Sequence, residues 1–83
     1  MSIYLITFRS LTHAQRAARL LERGGVTATV IKAPQDLSSS GCAYAVTLRG
    51  RPGEALTRLR GAGLKIGKVF RREADGGYTE VAL

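Results

Sequence analysis

The order of apolar and polar positions predicts short strands that alternate with two helices. Residues 2–8 are rich in β-branched and aromatic side chains, which is typical of a strand. The next segment repeats apolar residues at the spacing of one helical face, at Leu11, Ala14, Ala17, Ala18 and Leu21. Thr12 followed by Gln15 is a capping-box pattern, and the pair Gly24-Gly25 predicts the end of this helix.

The rest of the chain continues the same alternation. Further strands are predicted over residues 26–31, 42–48 and 66–72, and a second helix over 54–60. A turn at 75–77 allows a short fifth strand at the C-terminal end. The order βαββαβ with an added strand predicts an α+β fold in one domain over residues 1–83. Its expected form is a ferredoxin-like βαββαβ sandwich, with one antiparallel sheet and two helices on one face.

This topology predicts which strand ends lie side by side. In the expected order 4-1-3-2, the first two strands run one way and the other two run the opposite way. The third strand then starts beside the end of the first. Cys42, at the start of the third strand, should lie near Arg9, Ser10, Thr12 and His13.

The first strand carries apolar side chains on both of its faces. Ile3 and Leu5 belong to one face, and Tyr4, Ile6 and Phe8 belong to the other. A sheet covered by helices on one side usually exposes polar residues on its open side. The pattern therefore suggests a covered open face, which a homodimer would supply.

The charge and the cysteine content limit which kinds of partner and which cellular compartment we expect. Thirteen basic and six acidic residues give a net charge of +7, which would attract an acidic protein or a nucleic acid. Arg16, Arg19 and Arg23 share one helical face, but the aromatic residues of base-stacking modules are missing from the pattern, so we do not expect nucleic-acid binding. One cysteine cannot form an internal disulfide, and no apolar run is long enough to span a membrane. A cytoplasmic protein is the expectation.

Cys42 is the candidate for chemistry, because the sequence has no catalytic triad, phosphate loop, metal-ligand cluster or cofactor motif. It follows the segment Ser38-Ser39-Ser40-Gly41, whose backbone amides could hold an anion. Arg9, the start of the first helix and His13 would favour a thiolate. Such a thiol suits a persulfide, a selenium adduct or redox chemistry. The alternative is that Cys42 packs as a small apolar residue and that His13 is merely solvated.

Three segments of the chain carry a family resemblance: the opening Tyr4-Leu5-Ile6-Thr7-Phe8, the helix start Thr12-His13-Ala14 and the loop from Pro34 to Ala43. In these segments the chain resembles a family of small bacterial proteins, the Se/S carrier protein-like family. In that family a Cys-Gly pair enters the third strand; here the order is Gly41-Cys42. The resemblance implies a non-enzymatic carrier that holds sulfur or selenium on Cys42, supported by Ser40 and Gly41. Its partners would be donor and acceptor proteins. The alternative function is a ferredoxin-like binding or regulatory module with a structural Cys42.

Overall fold

A computed structural model describes residues 2–37 and 41–82 of the chain. These residues form two helices and five strands, and one 3-10 turn precedes the third strand. In chain order the elements are β1 (Ile3–Phe8), α1 (Leu11–Arg23), β2 (Ala28–Lys32), the 3-10 turn (Gln35–Leu37), β3 (Tyr44–Arg49), α2 (Pro52–Gly61), β4 (Val69–Arg72) and β5 (Tyr78–Glu80). The α+β class predicted from the sequence is confirmed.

The five strands form one open, antiparallel sheet in the order β2-β3-β1-β4-β5. β1 lies between β3 and β4, and β2 and β5 form the two edges. Phe8 is opposite Tyr44 in the β1–β3 ladder. The end of β1 therefore lies beside the start of β3, as predicted, and this juxtaposition positions the candidate site.

One face of the sheet packs against both helices. Residues of even number in β1 and β3 point to this face because side chains alternate along a strand. The buried side of α1 consists of three small alanines, which let the helix lie close to the sheet, and of Leu21. The buried cluster consists of Ile6, Phe8, Ala14, Ala17, Ala18, Leu21, Ala28, Val46, Leu48, Ala55, Leu56, Leu59, Leu64 and Val69.

The opposite face of the sheet is partly covered by the chain itself. Leu5, Ala45 and Phe70 are buried there together with Leu37 of the 3-10 turn, and Tyr78 packs against them. Among the described residues, Leu11 is the one large apolar side chain that is exposed. The second apolar face of β1, which suggested a homodimer, thus has an explanation within a single chain.

The predicted N-cap of α1 is wrong. The helix begins at Leu11, so Ser10, with extended backbone angles, occupies the N-cap and its Oγ accepts a hydrogen bond from the His13 backbone N–H at 3.1 Å. Thr12 already lies inside the first turn, where it cannot cap. The predicted end is confirmed: Gly25 has a φ of +85°, and the Val26 N–H bonds to the Leu21 carbonyl oxygen at 2.9 Å.

Several element boundaries differ from the prediction by two or three residues. β2, β3 and β4 start at Ala28, Tyr44 and Val69, later than expected, and Cys42 precedes its strand. α2 starts earlier, at Pro52, because proline is compatible with the first helical position. The turn before β5 is confirmed by a hydrogen bond from the Glu73 N–H to the Gly77 carbonyl oxygen at 2.8 Å.

Candidate functional site

A pocket of about 450 Å³ opens at the end of the sheet where β1 finishes and β3 begins. Its walls come from three separate parts of the chain. We call it the basic pocket; it is lined by Arg9, His13, Cys42, Lys65, Ile66, Gly67 and Lys68.

The antiparallel sheet brings these residues together. Arg9 follows the last residue of β1, and the Ser10 cap places His13 in the first turn of α1 above it. Cys42 comes two residues before β3, where the Ala33 N–H donates to the Ala43 carbonyl oxygen at 2.9 Å. That hydrogen bond fixes the backbone next to the thiol.

A β-bulge shapes the third wall of the pocket. Thr7 of β1 is opposite two residues, Gly67 and Lys68, instead of one. Its N–H donates to the Lys68 carbonyl oxygen (3.0 Å), and the Gly67 N–H donates to the Thr7 carbonyl oxygen (2.8 Å). The Lys68 N–H, displaced from the ladder, donates to Thr7 Oγ1 at 2.8 Å. The bulge ends the regular β1–β4 pairing beside the thiol. Bulges are common at the ends of strand pairing and next to functional sites.

Gly67 lies in close contact with the thiol. A β-carbon on residue 67 would be 2.8 Å from Cys42 Sγ and 3.0 Å from the Thr7 carbonyl oxygen. Such a β-carbon would also overlap Thr7 Oγ1, and real β-carbons do not come as close to another atom as the 2.8 Å from Sγ. Only glycine therefore fits between the bulge and Cys42 without displacing one of them.

The thiol of Cys42 is buried and free. The residue is 5% exposed, and within the described part of the chain its Sγ makes no hydrogen bond. It is nevertheless one of the lining residues of the basic pocket. Cys42 thus borders the pocket while the residue as a whole is shielded from bulk solvent.

The charge of the basic pocket is positive. Arg9, Lys65 and Lys68 line it, and no carboxylate is among its lining residues. Lys68 pairs with Glu80 at 3.6 Å on the surface, with both side chains about half exposed. For Arg9 and Lys65, no carboxylate of the described residues lies within ion-pair distance. An anion beside Cys42 would be attracted by these cations.

The structure brings together three of the predicted site residues, Cys42, Arg9 and His13. Thr12 is exposed on α1 and does not line the basic pocket. Gly41 is exposed, with a φ of +86°, next to the thiol. Ser40 lies outside the described residues, so its predicted supporting role stays a prediction.

Sequence reasoning missed Lys65, Gly67 and Lys68 as site residues. A signal for them was present: an isolated glycine inside a predicted strand indicates a bulge or a close backbone approach. Flanking lysines at 65 and 68 would then have suggested a basic wall. The carrier prediction concentrated on the serine-rich loop before Cys42 instead.

A second and larger groove, of about 820 Å³, lies at the opposite end of the sheet. Ile3 and Arg49, which are paired across β1 and β3, mark this end. Three positive charges, from Arg49, Arg51 and Arg72, outweigh one negative charge from Glu54, and Thr29 and Thr47 supply hydroxyl groups. We call it the arginine groove. Its lining includes no cysteine or histidine, so we place the candidate chemistry in the smaller basic pocket.

Metal-ligand clusters and membrane-spanning helices are two further features that could define a site. In the stretches 2–37 and 41–82, no group of three or more His, Cys, Asp or Glu residues could hold a metal ion. No helix in those stretches is long and apolar enough to cross a bilayer.

Residues 3–71 match the sequence profile of a protein family described as "Putative Se/S carrier protein-like". The match runs from β1 into β4 and includes Cys42 and every residue of the basic pocket. No curated protein and no solved structure is significantly similar to the chain. The chain belongs to the Se/S carrier protein-like family.

Proposed function

We propose that this protein carries a sulfur or selenium atom on Cys42 and delivers it to a partner enzyme. The observation that supports the proposal most directly is the position of Cys42, the only cysteine of the chain, in the basic pocket. Membership of the Se/S carrier protein-like family points the same way. Electropositive surroundings favour a reactive thiolate, and Arg9, Lys65 and Lys68 supply them in this pocket.

The proposed carriage is a pair of exchange reactions. The Cys42 thiolate attacks the outer sulfur of a donor persulfide, and the donor thiolate leaves with the electron pair of the broken S–S bond. Cys42 then holds a persulfide. An acceptor thiolate attacks the outer sulfur of Cys42 in the same way and releases the Cys42 thiolate. No external oxidant or reductant is needed, because each S–S bond that breaks is replaced by another.

The test is loading by a cysteine desulfurase in the presence of free cysteine, followed by intact-mass measurement. We expect the native protein to gain the mass of one sulfur atom and to lose it on treatment with a thiol reductant. The Cys42→Ala variant should gain nothing. Equal gain by native protein and variant would refute Cys42 as the carrier thiol, and no gain by the native protein would refute loading by a donor protein.

The carrier is proposed to act stoichiometrically and not as an enzyme with its own turnover. Its partners would be donor and acceptor proteins in the cytoplasm. The net charge of +7 would speed encounters with acidic partner surfaces. We further propose that the sheet is a ferredoxin-like arrangement extended by β5, which is supported by the pairing of β1 with β3 and β4 and of β2 with β3.

A second candidate function is a binding or regulatory module that uses the arginine groove. The observation in its favour is the combination of volume and charge at Arg49, Arg51 and Arg72. Its ligand would be an acidic protein segment, because the groove is lined by no aromatic side chain on which a base could stack. In this function Cys42 is a packing residue.

The two functions assign different roles to Cys42 and Arg49: the carrier function depends on the Cys42 thiol, and the binding function depends on the Arg49 charge. A fluorescent oligoglutamate peptide should bind the native protein and a Cys42→Ser variant equally well, and an Arg49→Gln variant more weakly. Arg19→Gln, which removes a cation outside the groove, is the matched control. A labelled oligonucleotide, titrated over a salt series, tests nucleic-acid binding in the same assay. If the peptide does not bind at low salt, the second function fails.

A further inference from the structure

We propose that the basic pocket binds a sulfane oxyanion, thiosulfate or its selenium counterpart selenosulfate, and that this anion loads Cys42 directly. The inference rests on the proposed function, since it assumes that Cys42 carries the transferred atom. It adds the chemical class of the donor. It also removes the need for a donor protein in the loading step.

The first step of the argument is charge. Arg9, Lys65 and Lys68 line the pocket, and its lining includes no acidic residue. Glu80 neutralises part of the Lys68 charge from the surface, while Arg9 and Lys65 face no carboxylate among the described residues within ion-pair distance. A ligand with two negative charges is attracted more strongly by these cations than a neutral or singly charged one.

The second step is size and access. A volume of about 450 Å³ admits a small molecule. Cys42 is 5% exposed, so a persulfide on a folded donor would have to insert deeply to reach Sγ. Because Gly67 has no side chain, only backbone atoms form the wall of the pocket next to the sulfur. A compact oxyanion can reach Sγ more easily than a protein-bound persulfide.

The third step is the chemistry, which balances without a further reactant. The Cys42 thiolate attacks the outer sulfur of thiosulfate and forms a new S–S bond. The bond between the outer sulfur and the sulfonate sulfur breaks, and sulfite leaves with its electron pair. The products are the Cys42 persulfide anion and sulfite, with the total charge unchanged. Selenosulfate reacts in the same way and leaves selenium on Cys42. The pocket cations stabilise the sulfite that departs.

The loading experiment uses the whole chain and thiosulfate alone. We expect the mass of one sulfur atom on Cys42 and an equal amount of sulfite in solution; a parallel arm with selenosulfate tests the selenium donor. Arg9→Gln and Lys65→Gln should each slow thiosulfate loading about fivefold at low salt, since both cations are exposed and their effect is screened. Arg19→Gln is the matched control and should load at the native rate.

A pair of alkylating agents tests the anion pocket independently of any sulfur transfer. Iodoacetate is anionic and iodoacetamide is neutral, and both modify the same Sγ. Relative to free cysteine, the native protein should favour iodoacetate, and Arg9→Gln and Lys65→Gln should lose this preference by about fivefold without slowing iodoacetamide. Arg19→Gln should retain the native preference.

The outcomes separate the inference from the function on which it rests. Loading by a desulfurase but not by thiosulfate would refute the inference and leave the carrier function intact. No loading by either donor would refute both. An iodoacetate preference that is absent from the native protein, or unchanged in Arg9→Gln and Lys65→Gln, would refute the anion pocket whatever the loading results.

Discussion

At the scale of single residues, the contact between Gly67 and Cys42 determines the form of the basic pocket. The glycine has an ordinary φ, so its role is spatial: a side chain there would collide with Sγ and with Thr7. Thr7 is fully buried, and its hydroxyl donates to the Lys68 carbonyl oxygen (3.2 Å) while it accepts from the Lys68 N–H. Gly67 and Thr7 together thus fix the position of the bulge relative to the Cys42 thiol.

The Gly67→Ala variant should be less stable than the native protein. Its added methyl group would force Cys42 or the bulge to move, and overpacking of this kind costs about 1–3 kcal/mol in the free energy of unfolding. Urea unfolding measures the loss. Gly53→Ala in α2 is the control, since nothing lies within 4 Å of a β-carbon there. Equal stability of the two variants would contradict the close contact.

The Thr7→Val variant should also be destabilised. It keeps the shape of the side chain but leaves the Lys68 N–H without its acceptor, a loss of about 1 kcal/mol for a part-buried hydrogen bond. Thr47→Val is the comparison, because that hydroxyl donates across a longer 3.4 Å to Thr29 at a partly exposed position. We expect its unfolding midpoint in urea to change much less. A Thr7→Val midpoint as high as that of Thr47→Val would show that the hydroxyl does not hold the bulge.

At the scale of elements, the start of α1 shows how a helix boundary affects a site. Ser10 ends the extended segment and caps the helix, and His13 follows in the first turn at the mouth of the basic pocket. Ser10 and Thr12 are both acceptable caps by residue type, but the capping-box pattern placed the predicted cap at Thr12. The actual one follows from the helix starting at Leu11.

Ser10→Ala should lower the free energy of unfolding by about 1 kcal/mol, because the His13 N–H loses its acceptor. Ser10→Asp should retain most of the stability, since a carboxylate also accepts at this position. Thr12→Ala should change it by no more than about 0.5 kcal/mol. Thermal unfolding followed by circular dichroism ranks the three. A larger loss for Thr12→Ala than for Ser10→Ala would restore Thr12 as the cap.

At the scale of the whole molecule, the two apolar faces of the sheet have different covers. The helices cover one face, and the 3-10 turn with Leu37 covers part of the other. The alternation along β1 predicted both faces correctly. It could not predict the second cover, because Gln35–Leu37 is too short to show a periodic pattern. The homodimer suggested by the same pattern stays a prediction.

The Leu37→Ala variant tests this cover. Removing the buried side chain should lower the free energy of unfolding by about 2–4 kcal/mol and expose Leu5 and Phe70. Sedimentation velocity should show more self-association than in the native protein. Leu11→Ala is the matched control, since Leu11 is 41% exposed. Similar losses in the two variants would contradict the role of the 3-10 turn as a cover.

Sequence reasoning reached the strands, both helices and the convergence of Arg9, His13 and Cys42, because these follow from periodicity and from antiparallel pairing. It did not reach the wall formed by Lys65, Gly67 and Lys68. That wall depends on a bulge, in which one extra residue shifts the pairing of the two strands. The alternation of apolar and polar residues along a strand scarcely indicates where such an extra residue lies. The lysines alone gave no reason to assign them to Cys42.

The burial of Cys42 also bears on the regioselectivity of delivery. In a Cys42 persulfide the outer sulfur would stand about 2 Å further from the backbone than Sγ, which itself is in a residue only 5% exposed. An acceptor thiolate could then approach the outer atom far more easily than the inner one. Attack on the inner sulfur would release hydrosulfide and trap the carrier in a mixed disulfide with its acceptor. The fold would thereby direct the exchange toward transfer and away from a dead-end complex.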